Sequence, residues 1–417
     1  MKVLTVNVFF DPLTFGGATI VAEQVAGRLY RDHGMEMVAL SSRRGTSSML
    51  MPVRYTTRFG FPGYLVHTPA PEDYVQAYDN AAFARLARDV LDVERPDVVH
   101  VHCVQEIGTR FLDLLAERGI PYVVTVHDFW WLCERQFMID VRGNHCGQWR
   151  IDPAVCRRCN RATGEVAERL ETLLSRLNRA KAVLTPSRFV ADQLIANGVG
   201  SDRVTVNRNG VLLPTGGDGL DRTRPRELAG RTVFGFVGDP GPIKGWDLVR
   251  RAFEKLDRED AALAVVDSGF TRAKGSSREM SLAGRSPLVV LPAYTAETID
   301  RFFAQIDVLL CPSRAKETFG MAAREATARD VWVIASDAGG LSENIQPGRN
   351  GTVLPFPPSE ADLRAAIRDR IARTGGALPG KERVQGFDQQ AREVAGLLRE
   401  RVDAARPAPA AIPAPRG

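Results

Sequence analysis

Short apolar runs recur along the chain, each followed by a longer stretch with helical spacing. This alternation predicts an α/β fold with parallel sheets. Residues 1–8, Met1-Lys2-Val3-Leu4-Thr5-Val6-Asn7-Val8, read as a buried strand, followed by a loop over 9–17 and an amphipathic helix over 18–32. The runs 37–40, 98–101 and 122–126 are predicted as further strands, and 182–185 and 204–206 close the first half. Residues 213–230, rich in Gly, Pro and charge, have linker composition. A second strand–helix series starts at 233–238 and continues through 263–266, 288–291, 308–311 and 331–335. Helices over 360–373 and 389–401 end it, and the Pro/Ala-rich residues 404–417 are expected to be disordered. Residues 41–80 show no strand period and read as a long apolar-basic loop carrying Arg43, Arg44, Met49, Leu50, Met51 and Arg54.

With 417 residues the chain can bury two cores, and 44% hydrophobic and 25% charged residues are ordinary for a globular protein. No apolar run reaches the eighteen residues that a membrane span needs. The apolar start is too short for a signal peptide and lacks a small-residue cleavage site, so a cytoplasmic location is expected. A net charge of +5 and a pI near 9.0 come from interspersed charges without a Lys/Arg stripe. Nucleic acid is therefore not an expected partner, and the balance suits anionic substrates or the anionic inner face of a membrane.

Chemistry concentrates in Lys316-Glu317-Thr318-Phe319-Gly320-Met321-Ala322-Ala323-Arg324-Glu325, where seven residues separate two glutamates. The apolar run before it predicts a buried strand ending at Pro312, and a helix is predicted to start near Gly320. The first turn of a helix has unpaired N–H groups, so Thr318, Phe319 and Gly320 can cradle a phosphate. Glu317 then stands at the mouth of the anion site, with Glu325 about a turn and a half further on. One carboxylate can read a sugar on one side of a diphosphate, and the other a ribose on the far side. Two glutamates at this spacing also occur on solvated helices, and the context decides between the readings.

That context includes Trp332-Val333-Ile334-Ala335-Ser336-Asp337-Ala338-Gly339-Gly340-Leu341-Ser342-Glu343 and Gly348-Arg349-Asn350-Gly351. In order and distance these resemble the closing signature of the family-4 (group 1) retaining glycosyltransferases, whose E-x7-E motif Glu317 and Glu325 match. The resemblance implies the GT-B architecture, two facing Rossmann-like domains. Here these would be residues 1–212 on the acceptor side and 213–403 on the nucleotide-sugar side, with the last helix packing back on the first domain. It also implies a UDP- or GDP-sugar donor and a glycan or lipid-linked acceptor, with acceptor or membrane contacts in the loop over 41–80.

The resemblance assigns further residues. Gly16-Gly17 follows the first strand and matches a glycine pair that lets a diphosphate approach, though a plain tight turn is the other reading. Lys244-Gly245 matches the lysine of a diphosphate clamp whose arginine is replaced here by Asp239, with Arg314 and Arg208 as candidate substitutes. Asn209-Gly210-Val211 matches a turn at the hinge that shapes the cleft. His127 matches a histidine near the transferred sugar, against the reading of a strand-end structural hydrogen-bonder. His100 and His102 share a face of another strand and receive no role. No Asp-x-Asp motif stands in the donor region, and no nucleophile–base pair is evident.

Cys133, Cys146, Cys156 and Cys159 fall within 27 residues, after His127-Asp128-Phe129-Trp130-Trp131. In a reducing compartment clustered thiols favour a metal over disulfides, and four thiolates suit tetrahedral Zn²⁺. An iron–sulfur cluster uses the same ligands, His145 could replace one cysteine, and unlinked thiols are the remaining reading. A subset of the family carries a similar insertion, here 129–162, which would order an acceptor loop. Cys103 and Cys311 read as buried thiols. The expected activity is retaining sugar transfer in bacterial surface polysaccharide (exopolysaccharide) synthesis. The alternatives are a nucleotide-sugar epimerase or hydrolase, and an inactive nucleotide-sugar-binding scaffold.

Overall fold

The computed structural model describes residues 1–44, 51–68, 71–159, 165–215, 223–238, 241–266, 282–373 and 384–403. Its first sheet is built from β1 (Lys2–Val6), β2 (Glu36–Arg44), β3 (Pro52–Thr56), β4 (Pro62–Thr68), β5 (Val98–Val101), β6 (Tyr122–Thr125), β7 (Ala182–Thr185) and β8 (Val204–Val206). Between these strands run α1 (Gly16–His33), α2 (Ala81–Glu94), α3 (Phe111–Glu117), α4 (Pro153–Cys156), α5 (Glu165–Arg179) and α6 (Arg188–Ala196). The second half comprises β9 (Thr232–Val237), α7 (Trp246–Leu256), β10 (Ala261–Val266), β11 (Leu288–Leu291), α8 (Ile299–Ala304) and β12 (Val308–Cys311). It continues with α9 (Met321–Thr327), β13 (Trp332–Ser336), β14 (Gly351–Leu354), α10 (Glu360–Ala372) and α11 (Phe387–Asp403).

The eight-stranded sheet has the order β3-β4-β2-β1-β5-β6-β7-β8 and the six-stranded sheet the order β11-β10-β9-β12-β13-β14. Every pairing is parallel except β3 with β4. Strand order reverses beside β1 in one sheet and beside β9 in the other. Open α/β sheets bind ligands at such points, outside the carboxyl ends of the strands. Successive residues of β1 face opposite sides: Leu4 and Val6 join Phe83 and Phe111, whereas Val3 joins Val21 and Val25. Burial on both faces explains why the central strands read as continuous apolar runs.

Residues 41–80 depart from the loop expected there. They hold β3, β4 and the end of β2, with Met49 and Leu50 outside the described residues. The pattern hides because β3 is an edge strand with a largely exposed face, and Pro52, Pro62 and Gly63 interrupt the apolar period. β14, also at an edge, is a further strand that the apolar pattern does not reveal.

The chain passes between the sheets twice, side by side. Val211 N donates to Gln385 O at 3.0 Å, and Gly210 N donates to Gln390 Oε1 at 2.7 Å. A Cβ at Gly210 would stand 2.4 Å from the Phe387 Cα, so only glycine allows the crossings to touch. α11 then returns to the first sheet, burying Phe387, Val394, Ala395 and Leu398 against Val21, Val25 and Leu29 of α1.

Candidate active site

A cleft of about 560 Å³ opens where the two sheets face each other with their carboxyl-terminal strand ends. Its second-domain wall is fixed by main chain. Arg314 N donates to Ile243 O (2.8 Å), joining the turn after β9 to the turn after β12. Glu317 N donates to Ala338 O (2.9 Å), and Gly340 N donates back to Glu317 O (2.8 Å). Gly245, at φ 78°, lies so close to Pro312 that a Cβ would meet its carbonyl oxygen at 2.2 Å. Between these clamped turns Lys244 Nζ lies 2.9 Å from Glu317 Oε1. Burial works against the ammonium charge, but the Glu317 carboxylate outweighs it and holds Lys244 above the ordinary lysine range.

Gly320, at φ 85°, caps α9. Among the described residues, no amide of Thr318, Phe319 or Gly320 donates to a backbone carbonyl. The buried Arg324 guanidinium takes the carbonyls of Phe319 and Gly340, and burial lowers it to about 9. Glu325 accepts from Tyr294 Oη at 2.8 Å, and burial raises its carboxyl. Both motif glutamates line the cleft.

Opposite stand Gly16, Gly17 and Ile20 at the start of α1, His127 and Asp128 after β6, and Asn209 at the hinge. Gly17 meets the Met321 side chain, its Cβ position 4.0 Å from Cγ. Thr318 Oγ1 donates across the cleft to the His127 carbonyl (2.6 Å), and Glu343 accepts from the amides of Arg188 and Phe189 at the start of α6 (3.2 and 2.7 Å). Burial lowers His127 to about 4 and raises Asp128 to about 6.

One cleft thus gathers Gly16, Gly17, His127, Asn209, Lys244, Glu317, Thr318, Phe319, Gly320 and Glu325. Gly210 packs on α11 instead. Neither Arg314, paired with Asp247 at 3.5 Å, nor Arg208 reaches the cleft wall, and Asp239 lies outside the described residues. The cation that lines the cleft beside Lys244 is Lys316, seated 3.8 Å from the centre of the Phe356 ring. Cys311, read as a buried thiol, lines the cleft too, and burial pushes it to about 12. Tyr294, Gln136 and Phe137 reach the site through packing, and nothing in their sequence neighbourhoods signals it, whereas Lys316 adjoins Glu317 in the motif itself.

Cys133, Cys146, Cys156 and Cys159 line one separate cavity of about 30 Å³. Yet among the described residues no three His, Cys, Asp or Glu side chains are placed to hold a metal ion. Burial raises Cys133 to about 11 and Cys156 above the usual thiol range, so with no metal cation beside them both thiols are protonated. This arrangement does not fit the expected zinc. His145 does not line the cavity either; its ring packs edge-on against Phe356, 5.4 Å between centroids.

Residues 15–213 match the pattern described as "Glycosyltransferase Family 4", and residues 221–392 match "Glycosyl transferases group 1". The chain belongs to the family-4, group 1 glycosyltransferases. One relative is the D-inositol 3-phosphate glycosyltransferase of Nocardia farcinica, 30% identical over 217 residues, 44% of this chain and 47% of that protein. Another is the GDP-mannose-dependent alpha-mannosyltransferase of Mycolicibacterium smegmatis, 32% identical over 288 residues, 66% of this chain and 65% of that protein. Aligned with the first of these, the chain spans about half of the relative's length. Among solved structures, sucrose-phosphate synthase from Thermosynechococcus elongatus superposes with a TM-score of 0.61 at 17% identity, covering 97% of this chain and 94% of that one. The fold of this family member is GT-B. No described helix is long and apolar enough to cross a membrane.

Proposed function

We propose that this family-4 member transfers a sugar from a UDP- or GDP-sugar to a glycan or lipid-linked acceptor, with retention of configuration. The observation that carries the reading is the Lys244–Glu317 pair, 2.9 Å apart, at the switch point of one sheet and facing Gly16-Gly17 at that of the other. In this reading Lys244 and the amides of Thr318, Phe319 and Gly320 stabilise charge as it builds on the departing diphosphate, usually the largest contribution to such a rate. Glu317 hydrogen-bonds the transferred sugar, and Glu325, held by Tyr294, reads the ribose. Gly16 and Gly17 leave room for the diphosphate. The donor then exchanges its own contacts for the Lys244–Glu317 pair.

The facing domains supply orientation, and contacts such as Thr318 to His127 exclude water that would hydrolyse the donor. Retention follows if the leaving phosphate oxygen takes the acceptor's proton on the same face, a route that asks no side chain to act as nucleophile. One named relative acts on D-inositol 3-phosphate and the other depends on GDP-mannose, which supports an anionic acceptor and a GDP-sugar donor; surface glycan assembly at the inner face of the membrane is the setting this reading proposes. Incubation with a panel of labelled nucleotide-sugars and a membrane extract tests the reading. Transfer of label to lipid or glycan is expected; free monosaccharide, an epimer or no turnover would each replace it with one of the alternative activities.

A further inference from the structure

Three histidine rings lie in a row behind the first-domain wall of the cleft, and of the three His127 lines it. The ring centroids of His100 and His102 are 4.1 Å apart, those of His102 and His127 5.2 Å. His102 Nδ1 lies 2.9 Å from His127 Nε2, a hydrogen bond with one proton between two nitrogens. The other ring nitrogen of His102, Nε2, is buried and has no partner among the described residues.

That orphan atom gives the bond its direction. Were His127 the donor, a neutral His102 would carry its proton on Nε2 and bury an N–H with nothing to accept it. With His102 donating from Nδ1, only a lone pair is left over, and buried orphan donors are the rarer case. Both rings are neutral, because burial holds His127 at about 4 and His102 well below the ordinary range. A neutral imidazole that accepts at Nε2 carries its proton on Nδ1. The Nδ1 of His127 has no protein partner among the described residues and is not among the buried unpaired atoms. Thr318 holds the same residue by its carbonyl, so ring and main chain are both fixed.

We propose that His102 is a positioning residue that locks His127 in its Nδ1–H form, so that His127 presents the cleft with a hydrogen-bond donor and not with a base. Its role toward substrate rests on the cleft being the nucleotide-sugar site; the tautomer does not. The proposal agrees with a transfer in which the leaving phosphate, not an imidazole, removes the acceptor's proton.

The test is long-range ¹H–¹⁵N correlation on the full chain labelled at the histidine rings, with the His127 signals assigned by their loss in His127→Asn. The wild type should show a protonated Nδ1 at His127. His102→Leu should convert His127 predominantly to the Nε2–H form that free imidazole prefers. His102→Asn places an amide N–H where Nδ1 was and should restore the Nδ1–H form. A wild-type His127 protonated at Nε2, or a tautomer unchanged in His102→Leu, overturns the proposal. Should His102→Leu lose its fold by circular dichroism, the wild-type and His102→Asn spectra decide. Calorimetric binding of UDP and of GDP judges the functional reading separately. If neither binds, the cleft assignment and His127's role toward substrate both fall, and the tautomer result stands alone.

Discussion

Two regions face the same cleft and are held in different ways. The turns after β9 and β12, which carry Lys244 and Glu317, are pinned by backbone bonds to Ile243, Ala338 and Gly340. Residues 129–159, with four cysteines, contain one short helix and hang from side chains of α5 and α6. Arg169 donates to Trp130 O, Gln193 to Gln148 O (3.4 Å), and Asn197 to Trp149 O (2.8 Å) while accepting from Ile151 N (2.7 Å). A strand end positions its neighbours whatever their side chains; a stitched loop depends on each stitch. The first region should therefore tolerate substitution in stability and fail in chemistry, and the second the reverse.

The sharpest contrast comes from Lys244→Ala or Glu317→Ala. Either should cut turnover by about 10²–10³-fold, the usual loss when a group stabilising developing charge is removed. The melting temperature should hold, because main-chain bonds, not this pair, fix both turns. Wild-type kinetics in both variants would remove the motif assignment. Next in size is Arg169→Met, which leaves the Trp130 carbonyl without its donor and strips the cation from the indole face. A loss of about 3 kcal/mol is expected in denaturant unfolding, with nucleotide binding by calorimetry retained. If nucleotide binding disappears as well, the two regions are one unit and the contrast fails.

Glu343→Ala probes the seam between the domains. It removes the carboxylate that accepts from the first two amides of α6 across the cleft, at a cost of about 1 kcal/mol, and should raise the radius of gyration measured by small-angle scattering without nucleotide. An unchanged radius would show that the hinge alone sets the closed arrangement. The last prediction concerns pH. His100 is held at about 3 and His127 at about 4 by burial, against about 6.5 in an unfolded chain. Between these values the unfolded state binds the extra protons, so the stability they contribute is full above pH 6.5 and is lost as pH falls toward 4. Asp128, raised to about 6, acts in the opposite sense. Comparison with His100→Gln isolates one proton: its stability should fall less steeply than the wild type's from pH 6.5 to 4. Parallel curves would refute the buried neutral His100.

The sequence was legible where the main chain governs. Central parallel strands are apolar on both faces, so β1, β5, β7 and β12 could be read from residue type alone. Lys244, Glu317 and Gly16-Gly17 each follow a strand, where ligands gather, and it was the resemblance to the family that put them in one cleft. β3 escaped because an edge strand shows water one face and tolerates Pro, and β4, paired on both sides, because Pro62 and Gly63 break its apolar period. Tyr294 escaped because it reaches the site through a hydrogen bond to Glu325, and Lys316, although next to Glu317, received no role because its seat on the Phe356 ring is set by packing. The cysteines lie between: their spacing indicated a shared place, and they share a cavity, but spacing carries no information on the distances a metal demands.

The return of α11 to the first sheet has a consequence for how the protein is made. The hydrophobic face formed by Val21, Val25 and Leu29 is complete only when Phe387, Val394, Ala395 and Leu398 arrive. During synthesis the amino-terminal sheet emerges first, yet it must wait, with part of its core uncovered, for about 180 further residues to follow before α11 begins. The half that emerges first is finished last, and a chain stopped after residue 380 would lack not a tail but one wall of its opening domain.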